Sequence, residues 1–194
     1  IGQESEWVNH LLQSDELRDF KQVNELTDSL REITLQVKRC KEINAVIVVF
    51  PDSDTELAEI ALESGAAACS SHIDTSDVLS RIYNAGKLFG ADMVLRVTAD
   101  CPLFDPLEVD KLIAGVERSK AHIGFMQVDV PHAAEHQHSH FPEGLDAEVI
   151  RMSTLTAAHG AATSAHAREH VTPWIYRQVA RKRFKAVCNW PDTD

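Results

Sequence analysis

Between Asp28 and Val128 the chain alternates compact apolar runs with stretches whose apolar residues recur every three to four positions, and few folds accept that alternation. The run AVIVVF (45–50) is continuously apolar, the pattern of a strand covered on both faces. Ahead of it, Leu30, Ile33, Val37 and Cys40 fall on one helical face, with Arg31, Lys38 and Arg39 largely off it. Pro51 ends the strand, and Ser53 with Glu56 reads as a capping box for a helix carrying Leu57, Ile60 and Ala61 that Gly65 closes. A short strand, 66–69, and a polar loop lead to a helix over 76–89 that presents Val78, Leu79, Ile82 and Tyr83 inward and is closed by Gly90. A strand at 92–97, a helix at 106–119 and a strand at 122–128 continue the rhythm. Strands and helices in this order predict an α/β architecture, a mainly parallel sheet with helices on both faces.

Outside that stretch the pattern is looser. Residues 1–27 hold scattered apolar side chains among acids, enough for a short helix or two. Asp129 to His140 is loop-like and rich in histidine. Leu145 to Met152 alternates as a strand does, Ser153 opens a short Ala-rich helix, Thr172-Pro173 reads as a cap and first-turn proline for WIYRQVA, and 184–189 reads as a last strand. With 194 residues, no internal repeat and no long linker, one domain is expected. The net charge of −11 excludes a general nucleic-acid or anionic-membrane surface, since either needs clustered cations, but it leaves room for a phosphate ligand held by a few local contacts. Cys40, Cys69, Cys101 and Cys188 form no CxxC pair, which reads as reduced, mostly buried thiols of a cytoplasmic protein. No apolar run approaches the ~20 residues of a membrane span, and no signal peptide is read.

Chemistry concentrates at DMVLRVTADCPLFDP (92–106). Here a buried strand runs into Asp100, and after a short loop Asp105 is placed to cap a helix with Pro106 at its first position. Open α/β sheets bind ligands at the carboxyl ends of their strands. A carboxylate there suits a hard divalent cation held against phosphate oxygens; the alternative is an ordinary loop or capping acid.

Four segments together resemble the cytidylyltransferase family that includes the spore coat polysaccharide biosynthesis protein F and is related to the CMP-sugar (acylneuraminate and KDO) synthetases. They are SDVLSRIYNAGKLFGAD (76–92), LRVTADCPLFDP (95–106), FPEGLDAEVI (141–150) and AREHVTPWIYR (167–177). The resemblance implies a three-layer, Rossmann-like nucleotide-diphospho-sugar transferase fold. It implies transfer of CMP from CTP to a sugar or sugar acid in polysaccharide or glycoconjugate biosynthesis, with release of pyrophosphate, dependence on Mg²⁺ and a homodimer. Asp100 matches the family's catalytic, metal-binding acid. Asp77 and Arg81 match positions beside the nucleotide pocket, with Ser80 where an acid is usual. Arg96 is either a phosphate contact or the partner of a neighbouring carboxylate. Asp146 and Glu148, two apart on a strand, would share one face, and the resemblance places them near the sugar; the other reading is a solvated strand face. Glu169 and His170 would line the acceptor pocket or act as a structural pair anchoring a helix.

The family's glycine-rich loop, of the form QARMxSxRLPGK, has no counterpart here. The corresponding LLQSDELRDFKQV (11–23) holds no glycine and sets Asp15, Glu16 and Asp19 against Arg18 and Lys21. Residues 1–194 are therefore expected to be a single nucleotidyltransferase-like domain without that phosphate loop and without the C-terminal end where relatives place a second metal acid. This motivates a rival reading as a degenerate, non-catalytic module that binds a nucleotide sugar or serves in assembly. A third reading is a metal site built on His132, His136, His138 and His140; the polar, turn-rich surroundings fit a loop excursion better.

Overall fold

The computed structural model describes residues 2–3, 20–98, 101, 104–126, 145 and 147–188, with side chains from residue 27 onward. The elements in chain order are β1 (Gly2–Gln3), α1 (Phe20–Arg39), β2 (Ile47–Pro51), α2 (Thr55–Glu63), β3 (Ala67–Ser71), α3 (Val78–Leu88) and β4 (Met93–Arg96). They continue with α4 (Pro106–Ser119), β5 (Ile123–Phe125), β6 (Glu148–Arg151), α5 (Met152–Ala161), α6 (Ala165–Glu169), α7 (Pro173–Ala180) and β7 (Ala186–Cys188).

β1, β2 and β3 pair in parallel, and β4, β6, β5 and β7 form a second set in that order. β1 also lies beside β4. The strands therefore run across the molecule as 3-2-1-4-6-5-7. β6 is antiparallel to both β4 and β5, whereas β7 is parallel to β5. The expected parallel sheet is thus interrupted by one reversed strand, inserted after the long 127–147 connection.

Period-two alternation divides the sheet between two apolar cores. Val48, Phe50, Leu95, Val97 and Val149 face one side and pack with Leu30, Ile33 and Val37 of α1, Leu57 and Ile60 of α2 and Leu112 and Val116 of α4. Val94, Ile123, Phe125 and Ile150 face the other and pack with Val78, Leu79 and Ile82 of α3, Leu155 of α5, Ala167 of α6 and Ile175 of α7. Helices on both faces make the three-layer arrangement. Where α4 crosses β5 the approach is too close for a side chain: a Cβ on Gly124 would fall 2.6 Å from Val116 Cγ2 and 2.9 Å from Leu112 Cδ1.

Several helix ends match their sequence signals. Asp105 caps α4 by accepting from the Leu107 amide at 2.8 Å, with Pro106 in the first turn. Gly65 follows α2 at φ +79°, which glycine adopts at no steric cost. Others are corrected. The cap of α2 is Asp54, accepting from the Leu57 amide at 3.0 Å, not Ser53; a carboxylate is the better acceptor at the positive end of a helix. α1 begins at Phe20, eight residues ahead of the periodic signal at Asp28. Thr172 gives α7 no side-chain cap, although Pro173 opens that helix as expected. β6 ends at Arg151, whose side chain donates to the carbonyls of Ala121 (2.7 Å) and Val116 (3.0 Å), tying the end of α4 to the strand.

Candidate functional site

Strand β4 carries Arg96 at its carboxyl end, four residues before Asp100. In the antiparallel ladder Arg96 stands directly opposite Glu148, and Phe125 of β5 is Glu148's partner on the other side. Arg96 Nη1 donates to Glu148 Oε2 at 2.9 Å, with the two side chains only 9% and 13% exposed. The other carboxylate oxygen, Oε1, accepts from the Tyr176 hydroxyl of α7. The Tyr176 ring meets Phe125 edge-on, centroids 5.7 Å apart. Burial pushes the Tyr176 phenol well above its ordinary value, and the neighbouring Glu148 charge adds to this, so the hydroxyl keeps its proton and stays a donor. Both oxygens of Glu148 are engaged. This carboxylate joins β4, β6 and α7.

A second cluster gathers around the start of α3. Asp77 caps that helix through the Ser80 amide at 3.1 Å. Its other oxygen accepts from Arg168 Nη2 of α6 at 2.6 Å. Arg168 also donates to Ser80 Oγ and, through Nη1, to the His159 carbonyl at 2.9 Å. Ser80 Oγ lies 3.0 Å from His159 Nε2. Because Arg168 donates to that hydroxyl, the hydroxyl is free to give its own proton to an unprotonated Nε2. The His159 ring stacks on Tyr83 at 4.2 Å, and Lys87 Nζ sits 5.5 Å from the centroid of the same tyrosine. Burial would raise the Asp77 carboxyl, but the hydrogen bonds from Arg168 and Ser80 outweigh it and hold it below the usual range. Burial lowers His159, the Arg168 and Lys87 cations lower it further, and only Asp77 opposes them.

Arg81 is almost fully buried within α3 and donates through Nη2 to the Thr75 carbonyl at 2.6 Å, bracing the loop ahead of that helix. Glu169 ends α6 and His170 follows as its C-cap, its ring tilted against His166 at 4.5 Å. Val171 comes next at φ +66° with its side chain fully buried. A β-branched residue in the left-handed region is strained and persists where its surroundings hold it there. Asp100, Asp146 and the histidines at 132, 136, 138 and 140 lie outside the described residues. Around Asp100, the Cys101 amide donates to the Thr98 carbonyl at 3.0 Å and Thr98 Oγ1 lies 3.4 Å from Cys101 Sγ, so the described flanks of the loop close on each other.

Segment 167–177 is therefore the hub: Arg168 reaches 76–92 through Asp77, and Tyr176 reaches 95–106 and 141–150 through Glu148 and its partner Arg96. The family model described as cytidylyltransferase matches residues 30–187, which include all of these segments. The chain belongs to the cytidylyltransferase family. An uncharacterized protein of Methanocaldococcus jannaschii is 29% identical over 146 residues, covering 75% of this chain and 55% of that protein. A solved cytidylyltransferase from Leptospira borgpetersenii has the same fold at a TM-score of 0.70 and 22% identity, covering 84% of this chain and 65% of that one. CMP:2-keto-3-deoxy-manno-octonic acid synthetase, solved in complex with CTP, superposes at a TM-score of 0.59 and 11% identity over 83% of this chain and 78% of that chain. The chain spans about half the length of the curated relative it matches.

Arg96 ends β4, and Thr98 and Cys101 follow it at the carboxyl end of the strand. A hollow of about 440 Å³ opens at the other end, walled by Lys41, Asn44 and Asp92 ahead of β2 and β4 and floored by Leu95 and Ile113. Among the described residues no group of three or more His, Cys, Asp or Glu could hold a metal, and no helix is long and apolar enough to cross a membrane. Sequence reasoning reached segment 167–177 but assigned its role to Glu169 and His170; the residues that tie it down are Arg168 and Tyr176, both inside the same motif. His159, in a small-residue helix, carried no signal.

Proposed function

We propose that this chain is the core of a cytidylyltransferase that moves CMP from CTP to a sugar or sugar acid. A hydroxyl oxygen of the acceptor sugar attacks the α-phosphorus, the bond to the β-phosphate oxygen breaks, and pyrophosphate leaves; the hydroxyl's proton passes to solvent. The observation that carries the reading is the family match over residues 30–187. Its support is that the four family-like segments are joined through 167–177, and that a protein of the same fold was solved with CTP.

Asp100 is the residue assigned to Mg²⁺. A carboxylate four residues beyond Arg96 in the sequence suits an ion that takes its remaining oxygens from phosphate and water. The ion, when bound, would supply charge neutralisation at the phosphoryl oxygens. Asp77 and Arg81 flank the nucleotide from the start of α3, with Asp77 fixed by Arg168. Asp146 is the residue assigned to acceptor hydroxyls. Arg96 and Glu148 pair with each other and keep the strand ends in place, and Glu169 and His170 mark the turn that carries the brace. Asp100→Asn is expected to abolish Mg²⁺-dependent pyrophosphate release from CTP in the presence of an acceptor; unchanged turnover would remove Asp100 from the metal site.

The absence of glycine from LLQSDELRDFKQV favours a second reading, a non-catalytic relative that binds a nucleotide sugar or serves in assembly. Backbone amides close to a triphosphate need glycine for their approach. Titration calorimetry with CTP and Mg²⁺ separates the two. No heat supports the second reading, and micromolar binding overturns it.

A further inference from the structure

We propose that two copies of this chain pair through β3, edge to edge and antiparallel, about a twofold axis at Cys69. The family resemblance implies a homodimer and names no surface for it. The sheet supplies one, independently of what the site catalyses. β3 is the end strand of its side of the sheet, and β2 takes up only half of its backbone groups. The Ala67 amide donates to the Val46 carbonyl at 2.8 Å, and the Ser71 carbonyl accepts from the Asp52 amide at 3.1 Å. Residues 67, 69 and 71 therefore turn their amides and carbonyls to β2, and Ala68 and Ser70 turn theirs away from the sheet.

Folded proteins blunt a strand edge with lysine, proline or a bulge. The five residues of β3 are Ala-Ala-Cys-Ser-Ser, uncharged, paired with β2 in unbroken register, and exposed at Ser70. This edge is its own complement. With the axis at Cys69, Ala68 exchanges amide–carbonyl bonds with the partner's Ser70, and Ser70 does the same with the partner's Ala68. Cys69 then faces the partner's Cys69 in a non-hydrogen-bonded site, where Cα atoms stand about 4.5 Å apart. Such a contact closes after two copies. An apolar side chain flanks the edge as well. α2 packs over β2 and β3 and turns Leu57, Ile60 and Ala61 into the core, while Glu63 on one flank meets Arg31 of α1 at 3.4 Å. At about 100° per residue Leu62 falls on the other flank, away from α1 and toward the open edge. It is 63% exposed. The twofold axis brings Leu62 toward the partner's α2, so the pairing that joins backbone groups also covers apolar surface.

Sedimentation of the full chain over about 1 to about 200 µM is expected to show monomer passing to dimer. Raising NaCl from about 0.05 to about 0.5 M is expected to strengthen the dimer several-fold, because two chains of net charge −11 repel less when screened. Oxidation with diamide, which takes two electrons and two protons from a thiol pair, then reads the register. A link from Cys69 to the partner's Cys69, located by peptide mapping, is expected to form about tenfold faster than any link through Cys188, the other thiol that is not fully buried. Ser70→Pro removes an amide that points outward and leaves the ladder to β2 whole, so it is expected to weaken the dimer about tenfold while the thermal midpoint of the monomer stays within a few degrees. If that variant does not fold, Ser70→Lys, which sets a charge on the edge, takes its place. A monomer at every concentration, a dimer that the Ser70 variants leave unchanged, or a first link formed through another cysteine overturns the proposal. The monomer result would leave the edge to an extended segment of a different protein. None of these readouts involves CTP, so the pairing and the cytidylyltransferase reading stand or fall separately.

Discussion

Two polar clusters hold this molecule's family-like segments together, and they are built on opposite principles. The strand cluster sets one cation and one neutral phenol against one carboxylate, with Arg96 and Glu148 at 9% and 13% exposure. The helix cluster gathers Arg168 and a nearby Lys87 with His159 around the single carboxylate Asp77, and its ion pair stands at 22% and 26% exposure. The first is balanced and dry. The second is cation-rich, wetter and contains a histidine, His159, that burial and the Arg168 cation hold below its ordinary value. The two clusters should therefore differ in what disturbs them: the strand cluster yields to loss of a partner, the helix cluster to protons and salt.

The largest effect expected is from Glu148→Ala, which removes the buried carboxylate that both Arg96 and Tyr176 donate to. Removing one member of a buried pair costs about 3–5 kcal/mol, measurable as a shift of the urea midpoint with an unchanged slope. Asp77→Ala in the helix cluster removes a cap and a partly solvated ion pair and should cost about 1–2 kcal/mol. An Asp77 variant that is as costly as the Glu148 one would erase the distinction between the clusters.

Acid sharpens it next. His159 has a lowered value in the folded state, so its contribution is intact above the ordinary histidine range near 6.5 and is lost as pH falls through the folded value. Asp77, also lowered, adds a loss only below the ordinary carboxylate value of 3.8. Tyr176 is raised, so its contribution is intact up to the ordinary phenol value of 10.0 and lost at more alkaline pH. Between pH 8 and 5 the stability of the unaltered chain should therefore slope downward, and His159→Gln should flatten part of that slope while Tyr176→Phe leaves it alone. Thermal melts across that range would show it. The smallest effect expected is from Lys87→Ala: removing one exposed cation near the Tyr83 and His159 rings should change stability by no more than about 0.5 kcal/mol and move the acid slope to slightly higher stability. A larger loss would mean that Lys87 holds the stack together.

Much of the frame is written locally. The continuous apolar run of β2, the 3.6-residue period of α3 and α4, and the Asp105-Pro106 start are short-range signals, and short-range physics decides them. Phe20–Asp28 of α1 was hidden because acids and polar residues there leave little apolar face to recognise. The reversal of β6 has no local signature either, since a strand's residues read alike in both directions and the 127–147 connection decides which way it enters. The ties of the site are less legible still. Asp77 and Arg168 are 91 residues apart, and Tyr176 is 28 from Glu148. Such pairs exist only once the sheet order is set. The motif AREHVTPWIYR marked the right segment, but the obvious titratable pair within it drew attention away from the arginine and tyrosine at its ends.

The central claim is that the carboxyl end of β4, framed by these two clusters, is where a cytidine nucleotide and its metal come together. A crystal of the protein grown with CTP and Mn²⁺ in place of Mg²⁺ tests it most directly, because manganese gives an anomalous signal that locates the ion independently of the chain. The prediction is a manganese peak on the Asp100 carboxylate with the triphosphate beside it and the base near the start of α3. A nucleotide seated instead in the hollow beside Lys41 and Asp92, or manganese bound away from Asp100, would contradict it.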